Sequence, residues 1–364
     1  MEQAKIDRIN ILAKKQREQG LTEAEKTEQA ALRKEYIESF KKSLVGQLEN
    51  ITIVEPDGTR HKLPKKQNER FFAFKVEPYL RSIVWGGERL KKYGFLHDGN
   101  IAESWVVSSI ENCESTVGDA PLSQTLKSLS KGFTGGLDRF PLLIKIIDAA
   151  QNLSVQVHPD DAEAKALENG VGKTEMWYIL DAEKDAYIYY GFEKETSKQD
   201  FEQAIKDGTV CSLLHKQPVK AGECYYIPSK TVHAIGKGIL IAEIQQPSDI
   251  TYRVFDYNRP GPDGKPRQLH IEKAVRVSAL APAHNLCKND RVLADTPYFT
   301  VIRHKIDGKT RFEPSGNLCA LLCVEGEVTF ENITLSTYTA AIVGANAPDF
   351  EISGKGTVLE CYKK

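Results

Sequence analysis

The first 50 residues place apolar side chains at helical spacing, with lysine, glutamate and glutamine between them. Gly20 interrupts the first apolar stripe, and Thr22 followed by Glu25 matches a capping box, which predicts that a second helix begins there. The stripes consist of Ile6, Ile9 and Leu12, and then of Leu32, Tyr36, Phe40, Leu44 and Leu48. Two such stripes in succession predict an antiparallel helical hairpin over residues 1–60.

From Phe71 onward the pattern changes to short apolar runs such as PLLIKII, MWYIL and ILIAEI, which are rich in β-branched residues. Gly, Pro, Asp and Asn separate the runs, as is typical of the strands of a sandwich or barrel. From about residue 290 the strand pattern returns, and VEGEV predicts a hairpin turn at Gly326. Helical patterns interrupt the strands over residues 121–129, 162–167, 197–206 and 271–280, with Ser197 as a candidate N-cap.

These patterns predict a mainly all-β fold, a sandwich with helical insertions and a second, smaller C-terminal β unit, preceded by an N-terminal α-helical hairpin. A chain of 364 residues is long enough for several such units. We expect the hairpin over residues 1–60, a polar linker over 61–70, the domain that carries the chemistry over 71–285, and the C-terminal β domain over 286–364.

Composition narrows the function classes. The 49 Lys and Arg nearly balance the 50 Asp and Glu, so a net charge of −1 gives no electrostatic reason to expect nucleic acid or a membrane as a partner. No apolar run approaches the ~20 residues of a membrane span, and the charged start MEQAKIDRIN does not resemble a secretory signal. The seven cysteines form no C-x-x-C pair, which predicts reduced, buried thiols and a cytoplasmic location.

Four residues that can bind a metal occur in three short runs. Gln156 and His158 stand two apart in LSVQVHPDD, so they face the same side of a strand that Pro159 ends. Glu175 opens the next strand, and His233 lies in YYIPSKTVHAIG. Oxygen and imidazole donors without a thiolate suit zinc, and also manganese or cobalt. A single histidine in an apolar strand is more often a hydrogen-bonded core residue, but the four together predict a metal site with net positive charge, which can polarise a substrate oxygen.

The third run also fits a known motif. Gly222, Pro228 and His233 follow the second cupin motif, G-x5-P-x-G-x2-H, with Lys230 in place of its second glycine. Residues 71–364 as a whole resemble the type I mannose-6-phosphate isomerases of the short bacterial kind. The resemblance implies a cupin fold, one zinc ion held by the four residues above, and reversible interconversion of mannose 6-phosphate and fructose 6-phosphate. The matching stretches are VWGG (84–87), AESW (102–105), PLLIKIIDA (141–149), LSVQVHPDD (153–161), GKTEMWY (172–178), YYIPSKTVHAIG (225–236) and SDITYRVFDYNR (248–259).

Isomerisation through an enediol needs a group that moves a carbon-bound proton and a positive charge near the developing oxyanion. Lys173, beside Glu175, is one candidate base if the cation lowers its pKa, and the other interpretation is an exposed loop lysine. Lys145 lies in the apolar run PLLIKII, where a buried lysine needs a partner, and the resemblance implies a functional lysine at this position. The sequence leaves the choice of base open.

Two further residues are expected to contact the substrate. Arg253 matches the active-site arginine of the resembled family, and its forked guanidinium suits either an enediolate or a phosphate. A salt bridge to Asp249 or Asp256 is the alternative. Ser154 would share the strand face of Gln156 and contact sugar or phosphate, or would simply be a strand-end hydroxyl.

Residues 1 to about 60 resemble the small YnzC-like bacterial family of uncharacterised function, which folds as a two-helix hairpin. The match runs through AKIDRINILAKKQ and LTEAEKTEQAALRKEYIESFKKSL. No catalytic residue is evident in this segment. Because so short a segment makes a marginal core alone, self-association through the hairpin is one expectation.

Two other functions compete with the isomerase. The first is a non-catalytic sugar-binding or regulatory cupin, with the hairpin as its output module. The second is another metal-dependent enzyme, either a cupin phosphoglucose isomerase or an oxygenase, although the amide of Gln156 disfavours an oxygenase. Lys145, Lys173 and Arg253 together favour the mannose-6-phosphate isomerase, because a binding module would not need all three beside a metal.

Overall fold

The computed structural model describes residues 3–22, 24–32, 35, 52–54, 60–62, 71–261, 264–287 and 291–364. The chain divides into two compact units, Met1–Phe71 and Phe72–Lys364. No helix in these ranges is long and apolar enough to cross a bilayer.

The N-terminal unit contains the predicted helical hairpin. Helix α1 spans Gln3–Glu18, and residues 24–32 are helical and form α2. Strands β1 (Thr52–Val54) and β2 (Arg60–Lys62) pair antiparallel, so β2 occupies the start of the predicted linker. Linker residues 63–70 and the stripe residues Tyr36, Phe40, Leu44 and Leu48 lie outside the described residues.

Side-chain contacts confirm the capping box and the antiparallel arrangement. The amide of Thr22 donates to Oε2 of Glu25 at 3.0 Å, and the amide of Glu25 donates to Oγ1 of Thr22 at 3.3 Å. Near the other end of the hairpin, Nη2 of Arg8 lies 2.8 Å from Oε2 of Glu28. The early part of α1 therefore faces the later part of α2.

The second unit consists mainly of strands, with helices at the positions that the sequence predicts. Its helices are α3 (Leu122–Ser128), α4 (Lys131–Thr134), α5 (Asp161–Glu168), α6 (Lys198–Lys206) and α7 (Ile271–Val277), with 3-10 turns at Arg89–Tyr93 and Val210–Leu213. Its strands are β3 (Ala73–Val76), β4 (Tyr79–Arg81), β5 (Glu103–Val107), β6 (Thr116–Val117), β7 (Ala120–Pro121), β8 (Leu143–Ala149), β9 (Val155–Val157), β10 (Glu175–Ala182), β11 (Tyr187–Phe192), β12 (Leu214–Pro218), β13 (Cys224–Ile227), β14 (His233–Ile235), β15 (Ile239–Gln245), β16 (Tyr252–Phe255), β17 (Val292–Asp295), β18 (Thr300–Phe312), β19 (Cys319–Phe330), β20 (Ile333–Ser336), β21 (Ala340–Val343) and β22 (Phe350–Tyr362). Ser197 caps α6 as predicted, because its Oγ accepts from the amide of Asp200 at 3.0 Å.

Three large antiparallel sheets carry the second unit. The six-stranded sheet has the order β13-β10-β15-β8-β5-β4, and the five-stranded sheet has the order β12-β11-β14-β9-β16. The seven-stranded sheet has the order β17-β18-β22-β19-β21-β3, with β20 paired to β19. The small ribbon β6-β7 stands apart from them.

Buried apolar clusters show how these sheets stack. Ile147 and Ile188 belong to a core between the six- and five-stranded sheets. Ile146, the next residue along β8, faces the opposite way into a core shared with Leu322 of the seven-stranded sheet. On its outer face the five-stranded sheet packs against α6 through Phe201. The predicted sandwich with helical insertions, a C-terminal β unit and an N-terminal hairpin is confirmed.

The domain boundary expected between residues 285 and 286 stays a prediction. Phe72–Lys364 forms one compact unit, and β3, from the start of this unit, pairs with β21 in the seven-stranded sheet. The C-terminal β sheet is therefore completed by a strand from the beginning of the main domain.

The predicted hairpin turn at Gly326 is wrong. Gly326 lies inside β19, which pairs with β22, and its φ is +73°. A Cβ at this position would meet the carbonyl oxygen of Lys355 at 2.1 Å, so only glycine fits beside the opposite strand. The chain turns instead at residues 331–332, between β19 and β20, where Glu331 has a positive φ of 49°. The glycine therefore marks close backbone approach within a strand rather than a turn.

Candidate metal centre and its cavity

The two facing sheets of the sandwich bring the four predicted ligands together. In the five-stranded sheet, Gln156 on β9 and His233 on β14 are direct cross-strand partners. His158 follows the last residue of β9, and Glu175 opens β10 in the six-stranded sheet. Residues far apart in the sequence thereby meet because of strand pairing and sheet stacking.

The distances between the ligand atoms suit one ion. Nε2 of His158 lies 3.6 Å from Oε2 of Glu175, and Nε2 of His233 lies 3.3 Å from Oε1 of Glu175. The side-chain amide of Gln156 reaches to 3.4 Å from Nε2 of His233. Four atoms about 2.1 Å from a tetrahedral zinc ion are roughly 3.4 Å from one another, which matches these separations.

Backbone carbonyls fix the orientation of both imidazoles. Nδ1 of His158 lies 2.9 Å from the carbonyl oxygen of Ile250, and Nδ1 of His233 lies 2.8 Å from that of Thr231. A carbonyl oxygen only accepts hydrogen bonds, so each Nδ1 carries the proton and each Nε2 keeps a lone pair that a metal ion could accept. This is the arrangement by which proteins orient metal-binding histidines.

The cluster is buried and leaves polar atoms unsatisfied. Nε2 of His158 and both carboxylate oxygens of Glu175 have no hydrogen-bond partner among the described residues. Burial raises the pKa of Glu175 to about 7, and the nearby carboxylate of Glu243 adds to the effect. Burial lowers the pKa of His233 to about 4 and that of His158 well below its usual value, so both rings are neutral at pH 7. Neutral imidazoles and a buried carboxylate that has an ion pair with Lys173 but no hydrogen bond in the described part of the chain fit a divalent metal.

A cavity of about 260 Å³ opens beside this cluster, between the six- and five-stranded sheets. Its wall brings together Gln156 and the four other residues predicted to act on the substrate: Lys145, Ser154, Lys173 and Arg253. Ser154 is buried and stands two residues before Gln156, on the same face of the chain. The cavity is therefore a single candidate site for both metal and substrate.

Lys145 lies in the middle of β8 and has the partner that its burial requires. Its Nζ donates to Oε1 of Glu243 at 3.0 Å and lies 4.9 Å from the ring centre of Trp105. Burial opposes the charge on Lys145, but the carboxylates of Glu243 and Glu103 outweigh it and raise its pKa. Lys145 is therefore protonated at neutral pH, which suits a cation or proton donor better than a base.

Lys173 is 4 % exposed, so the interpretation as an exposed loop lysine is wrong. Its Nζ lies 3.3 Å from Oε2 of Glu175. Its amide donates to the carbonyl of Pro159 at 3.1 Å, which ties the loop before β10 to the end of β9. The side chain is thereby held inside the cavity next to a predicted ligand.

Arg253 lies on β16 as the direct cross-strand partner of Gln156. Its Nη1 donates to the carbonyl of Gln268 at 2.9 Å, while its Nε is buried without a hydrogen-bond partner among the described residues. Among the described residues Arg253 forms no salt bridge to Asp249 or to Asp256, and the carboxylate of Asp256 accepts from Arg267 at 2.6 and 2.7 Å instead. Burial lowers the pKa of Arg253, and Arg267 contributes to the shift.

A row of side chains across the six-stranded sheet was not predicted from the sequence. Trp177, Glu243, Lys145 and Trp105 are successive cross-strand partners on β10, β15, β8 and β5. Nε1 of Trp177 donates to Oε2 of Glu243 at 3.0 Å, and Nε1 of Trp105 donates to Oε2 of Glu103 at 2.6 Å. One signal was available, since Glu243 interrupts the apolar run ILIAEI as Lys145 interrupts PLLIKII, and two buried opposite charges need each other.

Cavity size alone does not locate the site. A larger cavity of about 570 Å³ lies beside the seven-stranded sheet and is lined by Arg89, Tyr93 and Tyr338, among others. The guanidinium of Arg89 already forms an ion pair there, because its Nε donates to Oδ1 of Asp148 at 2.7 Å. None of the described residues around this larger cavity is a predicted metal or substrate residue.

Both parts of the chain are similar to known proteins. Residues 73–189 match the family described as phosphomannose isomerase type I, catalytic domain. The mannose-6-phosphate isomerase of Streptococcus mutans is 39% identical over 272 residues, which cover 70% of this chain and 86% of that protein. The mannose-6-phosphate isomerase ManA of Bacillus subtilis is 37% identical over 276 residues, which cover 69% of this chain and 85% of that protein.

A crystal structure supports the same similarity. The mannose 6-phosphate isomerase from Bacillus subtilis superposes with a TM-score of 0.73 at 32% identity, over 80% of this chain and 99% of that chain. Residues 4–62 match a bacterial family of unknown function. A UPF0291 protein of Listeria monocytogenes is 49% identical over 74 residues, which cover 20% of this chain and 99% of that protein.

Proposed function

We propose that this chain, which from residue 73 onward belongs to the type I phosphomannose isomerase family of aldose–ketose isomerases, is a mannose-6-phosphate isomerase. It would interconvert mannose 6-phosphate and fructose 6-phosphate in the cavity described above. The observation that carries the proposal is that Gln156 of the candidate metal cluster lines the same cavity as Lys145, Lys173 and Arg253. A cytoplasmic location agrees with seven free cysteines, and it too is part of the proposal.

We propose zinc as the cofactor, with manganese or cobalt as alternatives that the same donors accept. Gln156, His158, Glu175 and His233 would hold the ion. When bound, it supplies positive charge that stabilises the oxyanion developing on the substrate.

The chain's own residues divide the remaining work. Arg253, next to Gln156 and with a free Nε, supports the charge of the enediolate. Lys145, held protonated by Glu243, serves as a cation and proton donor toward a substrate oxygen. That leaves Lys173 as the group that moves the carbon-bound proton, and Ser154 as a hydrogen-bonding partner for the sugar.

An assay coupled to formation of fructose 6-phosphate, with metal analysis of the same sample, tests the function. We expect metal-free protein to be inactive and to regain activity with zinc, and the double variant Gln156→Ala, His158→Ala to lose both metal and turnover. His215 and Gln217 have the same two-residue spacing on β12, away from the cavity, and their double alanine variant is the matched control. Full activity in the Gln156, His158 variant would refute the assignment.

The competing functions predict different results. A non-catalytic sugar-binding cupin would bind mannose 6-phosphate with zinc present and produce no fructose 6-phosphate. A different sugar-phosphate isomerase would turn over glucose 6-phosphate faster than mannose 6-phosphate in the same assay.

A further inference from the structure

Arg81 is only loosely paired with its carboxylate neighbour in the cavity. Lys145, Lys173 and Arg267 are each held in an ion pair with a buried carboxylate. Arg81 differs, because its Nη1 only approaches Oε2 of Glu103 at 3.5 Å and its side chain is 42% exposed. Five cationic side chains line the cavity: Arg81, Lys145, Lys173, Arg253 and Arg267.

Among the described residues, Arg81 and Arg253 are the two cavity arginines that lack a short ion pair with a buried carboxylate. The strand order places them at different ends of the cavity. Arg253 is the cross-strand partner of Gln156 and therefore lies at the metal end of the cavity. Arg81 ends β4, the edge strand of the six-stranded sheet, and three strands lie between β4 and the strand that Glu175 opens. At about 4.8 Å per strand, the backbones of these two strands are roughly 19 Å apart.

The side chain of Arg81 nevertheless reaches into the cavity. Its guanidinium carbon lies 5.1 Å from the ring centre of Trp105, and the same ring lies 4.9 Å from Nζ of Lys145. These two distances place the guanidinium within about 10 Å of Nζ of Lys145. Trp105 is itself fixed by its hydrogen bond to Glu103, so it forms a rigid support for the guanidinium.

We propose that Arg81 binds the phosphate group of the substrate, while Arg253 acts at the carbon atoms that react. This assignment rests on the proposed function, because C1 and C2 of a hexose 6-phosphate stand at the opposite end from the phosphate. A guanidinium resting on an aromatic ring presents a planar fork, which suits a phosphate monoester dianion. The loose contact with Glu103 leaves that fork available.

Steady-state kinetics of the zinc-loaded full chain test the assignment. We expect Arg81→Ala to raise KM for mannose 6-phosphate about 10- to 100-fold and to leave kcat within about threefold, and inorganic phosphate to lose potency as an inhibitor by a similar factor. Arg81→Lys keeps the charge but lacks the planar fork, so its KM should lie between the values of the wild type and of Arg81→Ala. Arg276→Ala, which removes an exposed arginine paired with Glu163 at 3.1 Å, is the control and should change neither value.

Tryptophan fluorescence gives a readout that does not need turnover. Trp85, Trp105 and Trp177 are the three tryptophans of the chain, and the guanidinium of Arg81 rests on one of them. Inorganic phosphate should change the emission of the wild type, and the change should disappear in Arg81→Ala and in Trp105→Phe.

The outcomes separate this assignment from the proposed function. Normal turnover with unchanged KM and unchanged phosphate inhibition in Arg81→Ala and Arg81→Lys would overturn the role of Arg81 and leave the isomerase intact. A fall in kcat at constant KM would also overturn it, because Arg81 would then act at the reacting atoms. An Arg81-dependent fluorescence change without any isomerisation would support the phosphate site and refute the proposed function.

Discussion

At the scale of single residues, two buried glutamates on neighbouring strands behave oppositely. Burial raises the pKa of Glu175 to about 7. Glu243 is buried as well, but Lys145, together with other cationic and hydrogen-bonding neighbours, outweighs burial and lowers its pKa to about 2. The partners therefore decide the difference: Lys145 keeps Glu243 ionised at neutral pH, whereas Glu175 needs a further cation to hold its charge.

Removing the charge of Glu243 should leave Lys145 buried without a partner. We expect Glu243→Gln to lower the free energy of unfolding by about 3 kcal/mol and to abolish most activity. Lys145→Met combined with Glu243→Gln should recover much of that stability and remain inactive. Urea unfolding and kcat measure the two effects. Glu351→Gln, which breaks an exposed pair with Lys309, is the control and should lower the free energy of unfolding by less than about 0.5 kcal/mol. An equal loss of stability in Glu243→Gln and Glu351→Gln would contradict the role of burial.

The ion pair between Lys145 and Glu243 should make the free energy of unfolding depend on pH in the acid range. The pKa of Glu243 is about 2 in the folded protein, below its usual value of 4.5. Its stabilising contribution is therefore present above pH 4.5 and is lost as the pH falls from about 4.5 toward 2. Unfolding measured across this range should show a smaller acid loss in the Lys145→Met, Glu243→Gln variant, and identical profiles would contradict the pairing.

At the scale of elements, strand register decides the chemistry. The row from Trp177 to Trp105 exists because four strands place these residues opposite one another, and a shift of one residue would turn each side chain to the other face. In β19, register also explains Gly326, which faces the backbone of Lys355 rather than a turn. The candidate site thus depends on strand pairing as much as on residue identity.

Two glycines with similar backbone angles should respond differently to alanine. Gly326 and Gly316 both have positive φ, at +73° and +76°, but a Cβ at Gly316 meets nothing within 4 Å. We expect Gly316→Ala to cost about 1 kcal/mol from backbone strain alone, and Gly326→Ala to cost about 2 kcal/mol more because a strand must move. Chemical unfolding measures both values, and equal losses would contradict the close approach in β19.

At the scale of the whole molecule, the chain joins two units with separate relatives. Phe72–Lys364 contains the cavity and every residue to which we assign a role, and Met1–Phe71 contains none of them. Residues 4–62 match a family of unknown function, so we assign no step of the reaction to the first unit. The proposed isomerase therefore resides in the second unit.

A shortened chain tests this division. We expect removal of residues 1–70 to leave kcat and KM for mannose 6-phosphate within about twofold, because the second unit has its own cores. Size-exclusion chromatography of both proteins tests the predicted self-association through the hairpin, which should disappear in the shortened chain. Loss of activity in a shortened chain that still folds would show that the first unit contributes to catalysis.

The sequence by itself determined the fold class, the helix caps and the residues proposed for the metal cluster, because alternation of apolar residues, capping side chains and ligand-bearing motifs are local. Thr22, Ser197 and the pair Gln156 and His158 could all be recognised from their immediate neighbours. The tertiary structure alone decided the partner of Lys145, the burial of Lys173 and the place of Arg81 in the cavity. Those features depend on which strands pair and in which register, and pairing across long stretches of sequence follows from burying the whole core rather than from any local pattern.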